Sequence, residues 1–230
     1  VPTTAAATAA VPTAPAAPPA ACGAGWLSEL LARGRCPDPA RPWQPAPTPA
    51  VRAAVARDVR EGLLQRLVGD VVVGAGVRVD AAVRARALAL LVPADAVVVG
   101  VAAAWVHAGA PLPAPAQVLV VRRTPARHPV RGGVRLVVSR ARLDDEDVVH
   151  VAGLALSSPA RTLLDVARAE PRRAGQLRRL LAGAGLRGDD VERAAQRARG
   201  LAHVRSARRA LAARPDTSGR TAASGEGALP

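Results

Sequence analysis

Residues 154–170, LALSSPARTLLDVARAE, decide the fold class, because two hydrophobic periods meet inside them. Leu154 and Leu156 alternate with a small residue, the period of a half-buried strand. Beyond them Ala160, Leu163, Leu164 and Ala167 recur at three and four, the period of one helix face. Ser158 can accept from the open amides of a first turn, and the fixed φ of Pro159 suits the first helical position. Arg161 and Asp165 stand four apart, a spacing that allows a same-face ion pair. Orienting the helix is the structural role for that pair; a catalytic or partner-binding role is the alternative.

Working upstream, 148–151 and 154–156 predict a hairpin turning at Ala152-Gly153. The run Asp144-Asp-Glu-Asp147 is expected to be a solvated loop or helix start, since consecutive carboxylates cannot all face one ion. Strands are expected at 117–122 and 134–140, around a basic loop containing Gly132-Gly133, with another at 96–99. Helices are expected at 101–107, stopped by Gly109 and Pro111, and at 80–91, capped by Asp80. Further upstream, Val51, Val55, Val59, Leu63 and Leu67 repeat every four residues and predict one amphipathic helix over 50–68, with Arg52, Arg57, Arg60 and Arg66 on its other faces. Strands at 71–73 and 77–79 should follow, joined through Gly74-Ala-Gly76. A dinucleotide loop there would need a third glycine where Val79 stands.

Downstream, helices are expected near 173–183, 189–199 and 202–213. The class is therefore α+β, with a partial winged-helix-like N-terminal piece, a small central sheet and a helical C-terminal half. The expected division is a Pro/Ala-rich disordered leader over 1–50, the winged-helix-like segment over 51–80, the main domain over 81–214 and a disordered tail over 215–230. A short helix at 26–32 could interrupt the leader. The prolines at 37, 39, 42, 45, 47 and 49 exclude an ordinary three-helix reading head ahead of residue 51.

All 32 basic residues are Arg, against 18 acids, for a formal charge of +14. Lys, Ile, Asn, Phe, Tyr and Met are absent, a pattern expected of a very GC-rich gene, so part of the arginine count reflects codon usage. A shortage of Asp and Glu has no such origin, and the net charge favours anionic partners such as nucleic acid. Seven arginines without an acid fall in 122–142, and twelve fall in 172–214 against Asp189, Asp190 and Glu192. They form either a solvated face or a phosphate-contacting one. Without interleaved aromatic residues they do not make a single-strand stacking platform.

Nothing in the sequence points to catalysis. The four histidines, His107, His128, His150 and His203, are scattered, and no HExxH, GxSxG or Cys–His arrangement occurs. Cys22 and Cys36 sit in the leader without a CxxC, so no metal site, disulfide framework or cofactor is expected. The leader lacks a basic start and is broken by prolines, and the most apolar stretch, 94–110, is too short to span a bilayer. The expected location is cytoplasmic, without a membrane partner or a small-molecule substrate. The opening Val1, in a chain without methionine, suggests an alternative or misplaced start.

The segment GLALSSPARTLLDVAR (153–168) resembles the signature of AbiEi-type antitoxin-like proteins of type IV toxin–antitoxin systems. Other pieces are similar in the same order: LLQRLVGDVVVGAGV (63–77) resembles the wing of that family's N-terminal winged helix, and DAVVVGVAAAWVHAGA (95–110) its strand–helix segment. LDDEDVVHVAGLALSSPART (143–162) resembles the strand-rich passage before the signature helix, and AHVRSARRALA (202–212) a late helix. The resemblance covers about 55–215. It implies a DNA-reading head, with Arg52, Arg57, Arg60 and Arg66 nearest DNA, and a C-terminal domain opposing a nucleotidyltransferase toxin. Ser158, Pro159, Arg161 and Asp165 are its structural signature. Where members often carry Ser-His-x-Ser, this chain has Val99-Gly-Val-Ala102, so a polar role there is lost. Some relatives continue into a Vsr-like endonuclease domain, and SGEGALP resembles the junction before it. The expected function is thus an antitoxin-like or transcriptional regulator binding DNA, a toxin partner, or both. A truncated, non-catalytic relative of an antitoxin–endonuclease fusion and a pure protein-interaction module are the alternatives.

Overall fold

The computed structural model describes residues 40–113, 116–122, 130–139 and 141–212. Residues 1–39 of the expected 1–50 leader, with its helix at 26–32 and both cysteines, the basic loop at 123–129 and the tail lie outside the described residues. Within 40–50, expected to be disordered, Trp43 instead bridges to Val72 and a helix starts at Pro49. The fold is α+β, with helices and strands segregated along much of the chain.

The N-terminal part differs from the sequence expectation. Helix α1 (Pro49–Arg60) starts at Thr48, whose Oγ1 accepts from the Val51 amide, and it stops eight residues before position 68. Gly62 enters the left-handed region at φ 73°. The Gly62 amide then donates to the Val59 carbonyl and the Leu63 amide to the Asp58 carbonyl, the paired bonds of a Schellman stop. Leu63 is 45% exposed, so its four-residue spacing from Val59 was coincidence and not a core stripe. The chain continues as β1 (Leu64–Val68), which pairs antiparallel with β2 (Val71–Gly74). The hairpin therefore turns at Gly69-Asp70, not at Gly74-Ala-Gly76, and 77–79 is not a strand. All four residues of β2 are buried, because its other edge exchanges two backbone hydrogen bonds with Trp43.

Helix α2 (Ala81–Ala89) is capped by Asp80, whose Oδ1 accepts from the Val83 amide at 2.8 Å, as its sequence implies. Strand β3 (Ala96–Val99) leads directly into α3 (Gly100–Ala108), which ends at Gly109 in the left-handed conformation. Then come β4 (Gln117–Arg122), β5 (Val130–Arg131), β6 (Val134–Ser139), β7 (Val148–Val151) and β8 (Leu154–Ser157). The main sheet has the order β5-β6-β4-β3-β8-β7. β3 lies antiparallel to β4 and parallel to β8, and β4 lies parallel to β6. The helical half comprises α4 (Pro159–Ala169), α5 (Ala174–Gly183), α6 (Gly188–Arg197) and α7 (Val204–Ala212).

Two cores meet at α3. Its Ala102, Ala103 and Val106 pack with Leu88, Val98, Val120 and Leu156 over the sheet, whereas Ala104 packs with Leu163, Leu164 and Ala167 of α4. A helix buried on two sides must be apolar all round, and its alanines allow sheet and helices to approach closely. A third cluster, Val55, Leu64 and Val72, fastens α1 to the small hairpin. Val68 and Val71 of that hairpin join the main core.

The small hairpin docks on the β5–β6 turn. The Asp70 amide donates to the Gly132 carbonyl at 2.7 Å, and Gly69 has φ 54° beside it. A Cβ at position 69 would lie 2.1 Å from that carbonyl oxygen and 2.6 Å from Val134 Cγ2. Gly69→Ala therefore meets both a disfavoured left-handed φ and a backbone clash, and should cost more than about 2 kcal/mol in urea unfolding of the full chain. A loss below about 0.5 kcal/mol would show that the hairpin does not dock there.

Candidate functional site

Two arrangements of charge stand out, one turned inward and one outward. The inward one is built on the junction of β8 and α4. Ser158 sits at the start of α4, its Oγ accepting from the Arg161 amide at 3.3 Å, and Pro159 occupies the first turn. The Ser158 amide donates to the Asp147 carbonyl at 2.7 Å, which ties the helix start to the acidic run. One residue earlier, the buried Ser157 hydroxyl lies 2.7 Å from Thr162 Oγ1.

Arg161 is 2% exposed, and its guanidinium is bonded in three directions. Nε donates to both Asp165 oxygens at 3.2 and 3.1 Å, Nη1 to Asp147 Oδ2 at 2.7 Å and Nη2 to the Arg142 carbonyl at 2.9 Å. The pair with Asp165 is the one its spacing suggests. The partner that spacing did not suggest is Asp147, at 0% exposure. Its second oxygen accepts from Arg197 Nε and Nη2 at 3.0 and 2.7 Å, so Asp147 bridges arginines of α4 and α6. The hydrogen bond from Arg197 to Asp147 holds that guanidinium's pKa above its ordinary value. Arg168 completes the array, reaching Asp165 at 3.1 Å and the Ala202 carbonyl at 2.7 Å.

The acidic run is therefore not uniformly solvated. Asp144, Asp145 and Glu146 are exposed, and Asp145–Asp147 forms a short 3-10 turn that aims Asp147 inward. One signal was available: read backward at the strand period from Val149 and Val151, Asp147 falls on their core-facing side. Among the described residues no group of His, Cys, Asp and Glu is arranged to hold a metal. The carboxylates of this array are bonded to guanidinium groups, an arrangement suited to fixing geometry.

His107 lies next to the same junction. Its Nε2 donates to the Ser157 carbonyl at 2.8 Å, tying the last turn of α3 to the end of β8. Burial holds its pKa below the ordinary value, and the nearby Arg84 charge acts in the same direction, against the Ser157 bond. Arg84 itself joins α2 to α3, donating to the Val106 and Val79 carbonyls.

The outward arrangement is on α1. At 100° per residue, Arg52, Arg60 and Arg57 span an arc of about 140°; Arg57 and Arg60 lie away from the Val51, Val55 and Val59 stripe, and Arg52 lies at its edge. All three arginines are exposed, and among the described residues none is in an ion pair. Arg66 is on β1 and not on a helix; its Nη1 contacts the Gly69 carbonyl at 3.1 Å and Asp70 Oδ1 at 3.5 Å. Arg52 and Arg66 line one cleft of about 220 Å³, which Asp70 shares. On the inner side of α1, Asp58 is buried with Oδ2 unpartnered, and burial raises its pKa.

No protein-family model matches this chain, and no curated protein matches it. The functional reading therefore rests on the geometry and on the sequence resemblance. Among the described residues no helix is long and apolar enough to cross a membrane.

The depressed pKa of His107 has a definite sign. Folding favours the neutral ring, so its contribution is complete above the ordinary value of about 6.5 and is lost as pH falls through it. Thermal melts between about pH 7.5 and pH 5 should show a steeper acid loss for the natural chain than for His107→Gln. Parallel curves would mean that the imidazole is not held neutral by the fold.

Proposed function

We propose that this chain is a binding protein of the AbiEi antitoxin-like kind, a regulator that contacts DNA through α1 and engages a nucleotidyltransferase toxin through its helical half. The observation that carries the DNA part is the three-arginine face of α1, exposed and, among the described residues, outside any ion pair, on a helix anchored by its valine stripe. Unpaired guanidinium groups on a rigid helix suit phosphate oxygens, which they bind as a fork. Helix α1 followed by the β1–β2 hairpin supports a helix-and-wing reading of this part. The helix and hairpin would then position the protein on the backbone, with the arginines supplying most of the affinity.

The toxin part rests on the resemblance around Ser158, Pro159, Arg161 and Asp165, whose side chains build the α4 junction. In this reading those four residues hold the shape of the partner-facing half and do not themselves meet the partner, because Arg161 is buried and Asp165 is engaged by two arginines. The protein acts without catalysis: the buried ionisable groups at this junction are joined to one another. A cytoplasmic location follows from the proposed partners.

Fluorescence anisotropy with a duplex, taken over a salt series, tests the DNA part. Each phosphate contact contributes about 0.9 to the slope of log K against log salt, so Arg52→Gln/Arg57→Gln/Arg60→Gln should lower the slope by roughly 2.7. Salt-insensitive binding, or an unchanged slope in the triple variant, would remove α1 as the contact.

A further inference from the structure

The turn between α6 and α7 forms a second cationic feature, on the helical half of the protein. A cleft of about 610 Å³ opens there, lined by Arg199, His203, Arg205 and Arg208 together with the backbone at Gly200 and the apolar Leu201 and Val204. Three other clefts on this surface each contain a carboxylate: Glu146 and Asp190 beside Ser158, Asp70 beside Arg52, and Glu192 beside Gly188. Among the described residues, the cleft at the α6–α7 turn has none in its lining, and neither has the mainly apolar one beside Arg173.

Its cations differ in how they are held. Arg199 and Arg205 are exposed, and among the described residues neither is in an ion pair. Arg208 is held by Glu192 of α6, a carboxylate that does not line the cleft, so one guanidinium is fixed at the wall while two remain open to a ligand. The floor is tied to the helices around it. The Leu201 amide donates to the Ala198 carbonyl, the Ala207 amide to the His203 carbonyl and Arg168 Nε to the Ala202 carbonyl. Val204 and Ala207 are buried in the helical core beneath it.

Arg199 and Arg205 line a concavity whose described wall holds no acid, and their charges repel until an anion enters, whereas Arg208 is already paired with Glu192. Phosphate oxygens accept from such forks, and a run of phosphates, in an oligophosphate or a nucleic-acid backbone, supplies several charges across the width of the cleft. The first turn of α7 opens into the same space and adds its positive end. We propose that this cleft is a phosphate-binding site. The shared chemistry is a phosphate group with at least two free oxygens, whether from a free oligophosphate or from a nucleic-acid backbone. The site stands on its own geometry and does not depend on the α1 reading.

The test uses the full chain and the variant Arg199→Gln/Arg205→Gln. Both side chains are exposed, and the variant should melt within about 2 °C of the natural chain. Tripolyphosphate binding is followed by calorimetry, and binding of a duplex by anisotropy at low salt. A backbone site predicts that the variant loses about tenfold or more in duplex affinity and about 1.8 in salt slope, the value for two phosphate contacts. A free-phosphate site predicts that tripolyphosphate binds the natural chain and not the variant, with duplex affinity unchanged. If neither ligand distinguishes the two proteins, the site is refuted. The Arg52/Arg57/Arg60 variant run alongside separates the two readings, since either basic face can then fail while the other stands.

Discussion

The interaction on which the rest of the structure depends is the buried contact between Arg161 and Asp147. Placing one charge of each sign out of water is unfavourable unless each finds close, well-directed partners. Here both do. Asp165, Asp147 and the Arg142 carbonyl surround the guanidinium, while Asp147 also accepts from Arg197. The contact joins segments far apart in sequence: the turn before β7, the first turn of α4 and the end of α6. Removing one partner leaves Arg161 still paired with Asp165, or Asp147 still paired with Arg197, so the loss should fall below the ~3–5 kcal/mol of a buried charge left with no partner. Apolar packing around α4 supplies the bulk attraction, but it lacks direction; the ion array sets how the helix sits on the sheet.

The same array sorts the arginines of a strongly basic protein. Arg161, Arg168 and Arg197 are bound inside or at the edge of the fold, so they neutralise carboxylates and do not act as a field around it. Arg52, Arg57 and Arg60, with Arg199 and Arg205, are exposed and, among the described residues, are in no ion pair. The net charge of +14 therefore understates how unevenly the charge is placed. Rigid attachment matters for both outward groups: Val55 and Val59 anchor α1, and Val204 and Ala207 anchor the turn before α7. An arginine on an anchored backbone loses less entropy on meeting a phosphate than one on a mobile loop.

Much of this was legible in the residues where local chemistry and tertiary packing agree. Ser158-Pro159 marked the start of α4, Asp80 the start of α2, and Ala152-Gly153 the β7–β8 turn, each for a reason confined to a few residues. Over 50–68 the four-residue apolar spacing continues by chance through Leu63, although Gly62 ends the helix before it. The hairpin turn was displaced for a related reason. Gly74-Ala-Gly76 reads as a turn locally, but the choice of Gly69 depends on the distant Gly132 carbonyl. At the site, Arg161 and Asp165 could be paired by spacing alone. Asp147 and Arg197 could not, being separated by fifty residues and joined only when α6 folds back.

The central claim is that Arg161 and Asp147 act as one energetic unit. A double-mutant cycle of Arg161→Gln and Asp147→Asn, read by urea unfolding of the full chain, measures that coupling directly. The account predicts that the two losses are strongly non-additive, with an interaction energy of about 2 kcal/mol. Losses that add to within about 0.5 kcal/mol would contradict it.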